Sequence, residues 1–144
     1  MENRINIQKA DSAAYQAMFG LEKYLSNSTV NPILLELIKM RASQINGCAF
    51  CLNMHAADAR KIGETEQRLY LLNAWRETTL FTQEEEAVLA LTEEVTLISN
   101  HVSDETYNKV ASFFDEKMLA EIIMAIVTIN AWNRIAITTK LMVG

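Results

Sequence analysis

Glu36-Leu37-Ile38-Lys39-Met40-Arg41-Ala42-Ser43-Gln44-Ile45-Asn46-Gly47-Cys48-Ala49-Phe50-Cys51-Leu52-Asn53-Met54-His55 is the stretch on which fold and chemistry both turn. It contains both cysteines of the chain and one of its two histidines. Asn46-Gly47 breaks one helical pattern, and a second begins near Cys48. At about 100° per residue, that second helix brings Cys48, Cys51 and His55 to one face. Glu36 joins them if the two helices fold back on each other across the break. A thiol pair beside a base and within reach of a carboxylate is the equipment of dithiol redox chemistry.

The chemistry requires a thiolate, and a free thiol is mostly protonated at neutral pH. Cys48 and Cys51 fall at the first turn of a helix, whose partial positive charge favours an anion. His55, one turn beyond Cys51, can take its proton directly or through water. Glu36 can orient His55 or pass the proton on.

Outward from this stretch the pattern is helical throughout. Asn31-Pro32 starts the helix that carries Ile33, Leu37 and Met40 and runs to about Ile45. Upstream, Asp11 or Ser12 caps a helix bearing Tyr15, Met18, Leu21 and Leu25, and Ser26-Asn27-Ser28 reads as a loop. Downstream, the Cys48 helix continues to Ile62, with Gly63 closing it. Thr65 caps a fourth helix with Leu69, Leu72 and Trp75 on one side. Thr82-Gln83-Glu84-Glu85 is a capping box, followed by Val88, Leu91, Val95 and Ile98 at helical spacing. Ser103-Asp104-Glu105 opens a sixth helix with Tyr107, Val110 and Phe114. Asp115 caps a last one from Glu116 to about Leu141. The β-branched run around Ile126 also suits a buried strand, but a segment this long without Gly or Pro is a helix. The expectation is all-α, with six to seven helices and the CxxC at a helix N-terminus. No domain boundary, repeat or low-complexity segment divides residues 1–144, so one domain is expected.

Composition narrows the function classes. A net charge of -5 and no basic cluster leave nothing to hold nucleic-acid phosphates. The polar start Met1-Glu2-Asn3-Arg4-Ile5-Asn6 has no signal-peptide core. The uncharged run Ile122 to Asn133 is shorter than the roughly 20 residues a bilayer span needs. A cytoplasmic protein with no membrane contact is expected, and in a reducing compartment a CxxC pair is redox-active or metal-binding rather than a staple.

Blander readings stand beside this one. Both cysteines can be small buried apolar residues. Cys48, Cys51 and His55 are three soft metal ligands, with Glu36, His101 or another subunit as the fourth. The internal methionines, Met54 among them, read as core filler, and Trp75 and Trp132 as packing or interface anchors rather than substrate platforms. Glu84-Glu85-Glu86 and Glu93-Glu94 read as solvated. Asn130, Asn133 and Arg134 are polar residues on a very apolar helix, facing either the site or a subunit contact.

Glu36, eleven residues, Cys48-x-x-Cys51, three residues and His55 together resemble the signature of the alkylhydroperoxidase D (AhpD-like) proteins of the carboxymuconolactone decarboxylase superfamily. Met40 to Cys48, Gly63 to Leu69 with Trp75-Arg76-Glu77, and Ile129 to Arg134 extend the resemblance over roughly residues 30 to 140. It implies an AhpD-like helical bundle, assembled as trimers or hexamers, in which the CxxC reduces hydroperoxides. It further implies that Cys51 attacks the peroxide, Cys48 resolves the sulfenic acid, His55 accepts the proton and Glu36 ends the relay. No cofactor beyond the cysteine pair and no metal is implied. The partners implied are a hydroperoxide and an external dithiol, thioredoxin-like or lipoyl donor. Helix position alone favours the reverse order, with Cys48 the more exposed and more acidic thiol. The best-studied members carry a second histidine just before the second cysteine, where this chain has Phe50, so the relay is shorter. The superfamily's lactone decarboxylases lack the CxxC pair, which argues against their activity. Two other functions stay open: a redox sensor or adaptor with little turnover, and a decarboxylase or isomerase acting on a small acid or lactone.

Overall fold

The computed structural model describes residues 4–144, and Met1, Glu2 and Asn3 lie outside the described residues. It is all-α, with no strand among the described residues. The helices are α1 (Ile7–Ala10), α2 (Ser12–Ser26), α3 (Pro32–Asn46), α4 (Ala49–Lys61), α5 (Glu66–Tyr70), α6 (Gln83–Thr96), α7 (Asp104–Ala111) and α8 (Glu116–Thr138), with 3-10 turns at Leu72–Glu77 and Ile98–Asn100.

The sequence's start signals act as side-chain caps. Asp11, Asn31, Thr65, Ser103 and Asp115 each accept an amide hydrogen bond at a helix start. Thr82 and Glu85 form a reciprocal capping box. Three helix ends share one closure. At the end of α3 the Cys48 N–H reaches Ser43 O (3.0 Å) and the Gly47 N–H reaches Gln44 O (3.3 Å), with Gly47 at φ 67°. Gly63 (φ 102°) closes α4 in the same way. Lys140, at φ 55°, does so for α8.

That last closure stops α8 at Thr138, short of the expected Leu141. Two other differences have local causes. The fourth helix divides at Leu71 (φ -100°, ψ 4°), where α5 ends and the 3-10 segment begins, and Ala74 (φ -119°, ψ 27°) kinks that segment in turn. Leu69, Leu72 and Trp75 are buried all the same, since a spacing of three keeps one face in either helix type. Ile98 falls beyond α6 and is exposed. The short α1, capped by Asn6, has no buried residue and hence no apolar period to announce it.

α3 and α8 are the axis of the bundle. α3 packs on α4, α6 and α8, and α8 also meets α2, α4, α6 and α7. α3 feeds two cores from two faces. Leu34, Ile38 and Ala42 join Val88, Leu91, Ile122, Ile126, Ile129 and both cysteines; Leu37 and Met40 join Leu69, Leu72, Trp75, Phe81 and Leu89. By length and composition alone the 23-residue α8 is apolar enough to cross a membrane, beyond what the run from Ile122 indicated. Its surroundings account for that apolarity differently: it is the packed core helix of the bundle.

Polar groups inside the bundle are tied down. Glu121, 3% exposed, accepts hydrogen bonds from Ser28 Oγ (3.1 Å), Thr29 N (3.2 Å) and Thr29 Oγ1 (3.0 Å), fixing the loop before α3. Glu93 is no solvated helix residue: it pairs with Arg41 (2.9 Å) and Arg76 (2.7 Å) and accepts from Trp75 Nε1 (3.3 Å). Glu85 pairs with Arg68 besides completing its cap. Glu93 and Glu85 each hold a basic partner from another segment, which helical spacing does not reveal.

Candidate active site

The closure of α3 delivers Cys48 directly to the start of α4. Its N–H ends one helix while its Sγ caps the next, accepting from Cys51 N at 3.4 Å. Cys51 is the third residue of α4, and His55 follows one turn later. Both cysteines are free thiols and both are buried, Cys48 at 1% exposure and Cys51 at 4%. The expectation that Cys48 is the more exposed thiol is therefore corrected. A capping side chain folds back over its own helix, whereas Cys51 projects toward a cavity.

That cavity, about 510 Å³, is lined by Cys51 and His55 but not by Cys48. α2 and α8 build its aromatic wall: Tyr15 meets Trp132 edge-on (5.4 Å, 71°) and Phe19 (5.8 Å, 82°). Trp132 Nε1 donates to Glu22 Oε1 (2.9 Å), which holds the indole in place. Phe50, Met54 and Ile135 add apolar surface. Trp132 and Met54, read from sequence as packing residues, thus face the cavity. Their type was visible in the sequence, but their direction depends on how α2 and α4 cross α8. Asn6 and Gln8 from the N-terminal segment reach the cavity too, and Arg4 Nη1 donates to Thr138 O (2.8 Å) to hold that segment against α8.

Across the α3–α4 hairpin, His55 Nδ1 lies 3.1 Å from Glu36 Oε2, while Glu36 Oε1 takes the Lys39 ammonium at 3.2 Å. Burial alone would push the Glu36 carboxyl up. The His55 hydrogen bond and the Lys39 charge outweigh it and hold the group below its usual value. An ionised Glu36 only accepts, so Nδ1 carries the proton of this hydrogen bond, and in the neutral ring Nε2 is the nitrogen able to accept one. Glu36 lines not the first cavity but a second groove of about 420 Å³ with Lys39, Asp58 and Lys61. The His55–Glu36 pair therefore lies where the cavity that holds Cys51 adjoins a second groove, the two sharing Glu22, Lys39 and Asp58.

Burial raises the Cys51 thiol, the Cys48 sulfur raises it further, and an Asn133 hydrogen bond pulls the other way; the balance leaves it pushed up to about 12. No hydrogen bond joins His55 to Cys51 among the described residues, so a proton passing between them crosses a water or a ligand hydroxyl. The ligand atoms that do cluster, within 4.8 Å of one another, belong to Glu36, His55 and Asp58. Neither sulfur is among them, and Lys39 already balances the Glu36 charge. The soft-ligand set of two cysteines and His55 is thus not assembled around a common point. His101 ends the 3-10 turn after α6 and is exposed.

Residues 12–94 match the model of the carboxymuconolactone decarboxylase family. The uncharacterized protein YdfG of Bacillus subtilis is 46% identical over 138 residues, covering 95% of this chain and 94% of its own. The chain belongs to the carboxymuconolactone decarboxylase family. Within the family it is AhpD-like. A crystal structure from Agrobacterium tumefaciens, of a protein of unknown function proposed as an antioxidant defence protein AhpD, superposes with a TM-score of 0.95 at 37% identity over 99% of both chains. The debrominase Bmp8, solved with 2,3,4-tribromopyrrole, matches with a TM-score of 0.86 at 17% identity, over 95% of this chain and 74% of its own. At that identity the likeness is one of fold. Fold alone therefore does not decide the activity, which has to be argued from the side chains at the cavity.

Proposed function

We propose that the protein is a thiol peroxidase that reduces organic hydroperoxides through a Cys51–Cys48 dithiol-disulfide cycle. The observation that carries this reading is the division of labour between the sulfurs. Cys51 opens on an apolar cavity beside His55, and Cys48 lies behind it, one hydrogen bond from the same turn.

The resting Cys51 is a protonated thiol, so its proton must leave as it attacks. His55 Nε2 takes it through a water or the ligand's own hydroxyl, and the Glu36 carboxylate stabilises the imidazolium. The sulfur bonds to the outer peroxide oxygen, the O–O bond breaks, and the alkoxide departs as an alcohol with that proton. The products are Cys51 sulfenic acid and ROH. Cys48 sulfur then attacks the Cys51 sulfur, forming the disulfide and releasing water. An external dithiol, thioredoxin-like or lipoyl, restores both thiols by exchange. The reading takes the reducing cytoplasm as its setting and a homotrimer or hexamer as its assembly. It requires no metal or cofactor.

A redox sensor is the second reading, and the high Cys51 value favours it, because a thiol held protonated reacts slowly. Turnover separates the two. One equivalent of cumene hydroperoxide should remove two thiols from the wild type, and dihydrolipoate should return them over many cycles. A clean disulfide without multiple turnover would favour the sensor, and thiols that stay reduced would sink both.

A further inference from the structure

We propose that the Cys51 cavity selects neutral ligands over carboxylates, with Glu22 and Asp58 as the residues that reject the anion. The inference rests on the peroxidase reading and narrows its substrate class to uncharged organic hydroperoxides, as against the hydroperoxides of acids.

Besides the imidazole of His55, the cavity lining carries the charges of Glu22, Lys39 and Asp58. Lys39 does not offer its charge to a ligand. Its ammonium lies 3.2 Å from Glu36 Oε1, with the two side chains only 16% and 12% exposed. An anion seeking Lys39 would have to displace a carboxylate that also holds His55 at 3.1 Å. The two acids are placed otherwise. Glu22, on α2, is held at the cavity by the indole N–H of Trp132 (2.9 Å), a neutral donor that leaves its charge in place. Asp58, on α4, follows one turn after His55, with Oδ2 3.9 Å from Nδ1. Among the described residues no lysine or arginine pairs with either acid.

Both acids also line the second groove, so an anion entering from that side meets them first. The other cations nearby do not compensate: Lys61 lines the groove but not the cavity, and Arg4 is engaged by Thr138 O outside the lining. The rest of the cavity is aromatic, aliphatic or, at Asn6 and Gln8, uncharged. A carboxylate brought here loses hydration, finds no ion partner and is repelled by two like charges. A neutral hydroperoxide meets none of these costs, and Phe50, Met54 and Trp132 receive its hydrocarbon part. A volume of about 510 Å³ admits either ligand, so the selection is by charge and not by size.

Cumene hydroperoxide and its para-carboxylate are close in size and differ by one charge. Relative to their rates with free cysteine, the wild-type protein should be oxidised about tenfold faster by the neutral compound, and added salt should narrow that ratio. Asp58→Asn and Glu22→Gln keep the side-chain shapes, the second also keeping an acceptor for Trp132, and each should lower the ratio about threefold. Damaged packing would slow both compounds together and leave the ratio where it was. A ratio near one in the wild type, or one that neither substitution lowers, overturns the proposal. Iodoacetamide and iodoacetate probe the same cavity without peroxide chemistry, with peptide mapping to read Cys51 and free cysteine as the reference. The neutral reagent should again be favoured about tenfold, and equal normalised rates would sink the selection. If neither hydroperoxide oxidises Cys51 while the alkylation preference holds, the peroxidase reading fails and the charge selection stands.

Discussion

The Glu36 carboxylate has both oxygens occupied, one by Lys39 and one by His55, so it enters the reaction already ionised and already aimed. Glu36→Gln keeps the shape and removes the charge. Oxidation of Cys51 by cumene hydroperoxide, followed by stopped-flow fluorescence, should slow about tenfold or more; an unchanged rate would remove Glu36 from the relay. The same group sets a pH dependence of stability. Its folded pKa lies below its usual 4.5, so its contribution is fully present above that value and is lost as pH falls through the lowered folded pKa. Glu85, lowered against burial by Arg68 and its cap, behaves likewise. Thermal stability should hold near neutrality and fall below about pH 4.5, and the fall should shrink in Glu36→Gln. Calorimetry across that range checks it. Phe50 stands at the cavity beside Cys51. Phe50→His should place a second base there and raise the oxidation rate several-fold; a slower reaction would mean that apolar surface, not proton transfer, limits the step.

At the scale of elements, the α3–α4 hairpin is what makes a reactive site out of separate residues. Gly47 is left-handed at φ 67°, and a Cβ there would meet nothing within 4 Å. Gly47→Ala therefore incurs only backbone strain, about 1–2 kcal/mol, and urea unfolding should show that loss with the Cys51 rate little changed. A collapse of reactivity at full stability would contradict this. The hairpin was legible in the sequence because caps and breakers are local: Asn31-Pro32, Asn46-Gly47 and Gly63 act over a turn or less. The meeting of Glu36 with His55 followed from the same break. What stayed illegible was set between elements. The cavity wall depends on α2 crossing α8, the burial of Asn133 and the cavity-facing place of Trp132 on how α8 is rotated, and the greater burial of Cys48 on its doing double duty at two helix ends. The 3-10 turn after α5 escaped because a spacing of three residues serves both helix types.

For the whole molecule, two cores share α3, so damage to one should be felt in the other. Ile126 is fully buried on α8 beside Val88 and Leu91. Ile126→Ala should lower the unfolding free energy by about 2–5 kcal/mol as a single transition. Two separable transitions would show that the cores fold independently. Val127 and Ile137 remain 43% and 44% exposed on the same helix, apolar surface that a trimer or hexamer would cover. Sedimentation velocity should find such an assembly, and a monomer would contradict it. The central claim is that Cys51, at the cavity, is the sulfur that meets the peroxide. Dimedone trapping after one equivalent of cumene hydroperoxide, read by mass spectrometry on Cys48→Ser and Cys51→Ser, tests it most directly. An adduct is expected on Cys51 in the first variant and none in the second. An adduct on Cys48 alone would reverse the roles of the two sulfurs and contradict it.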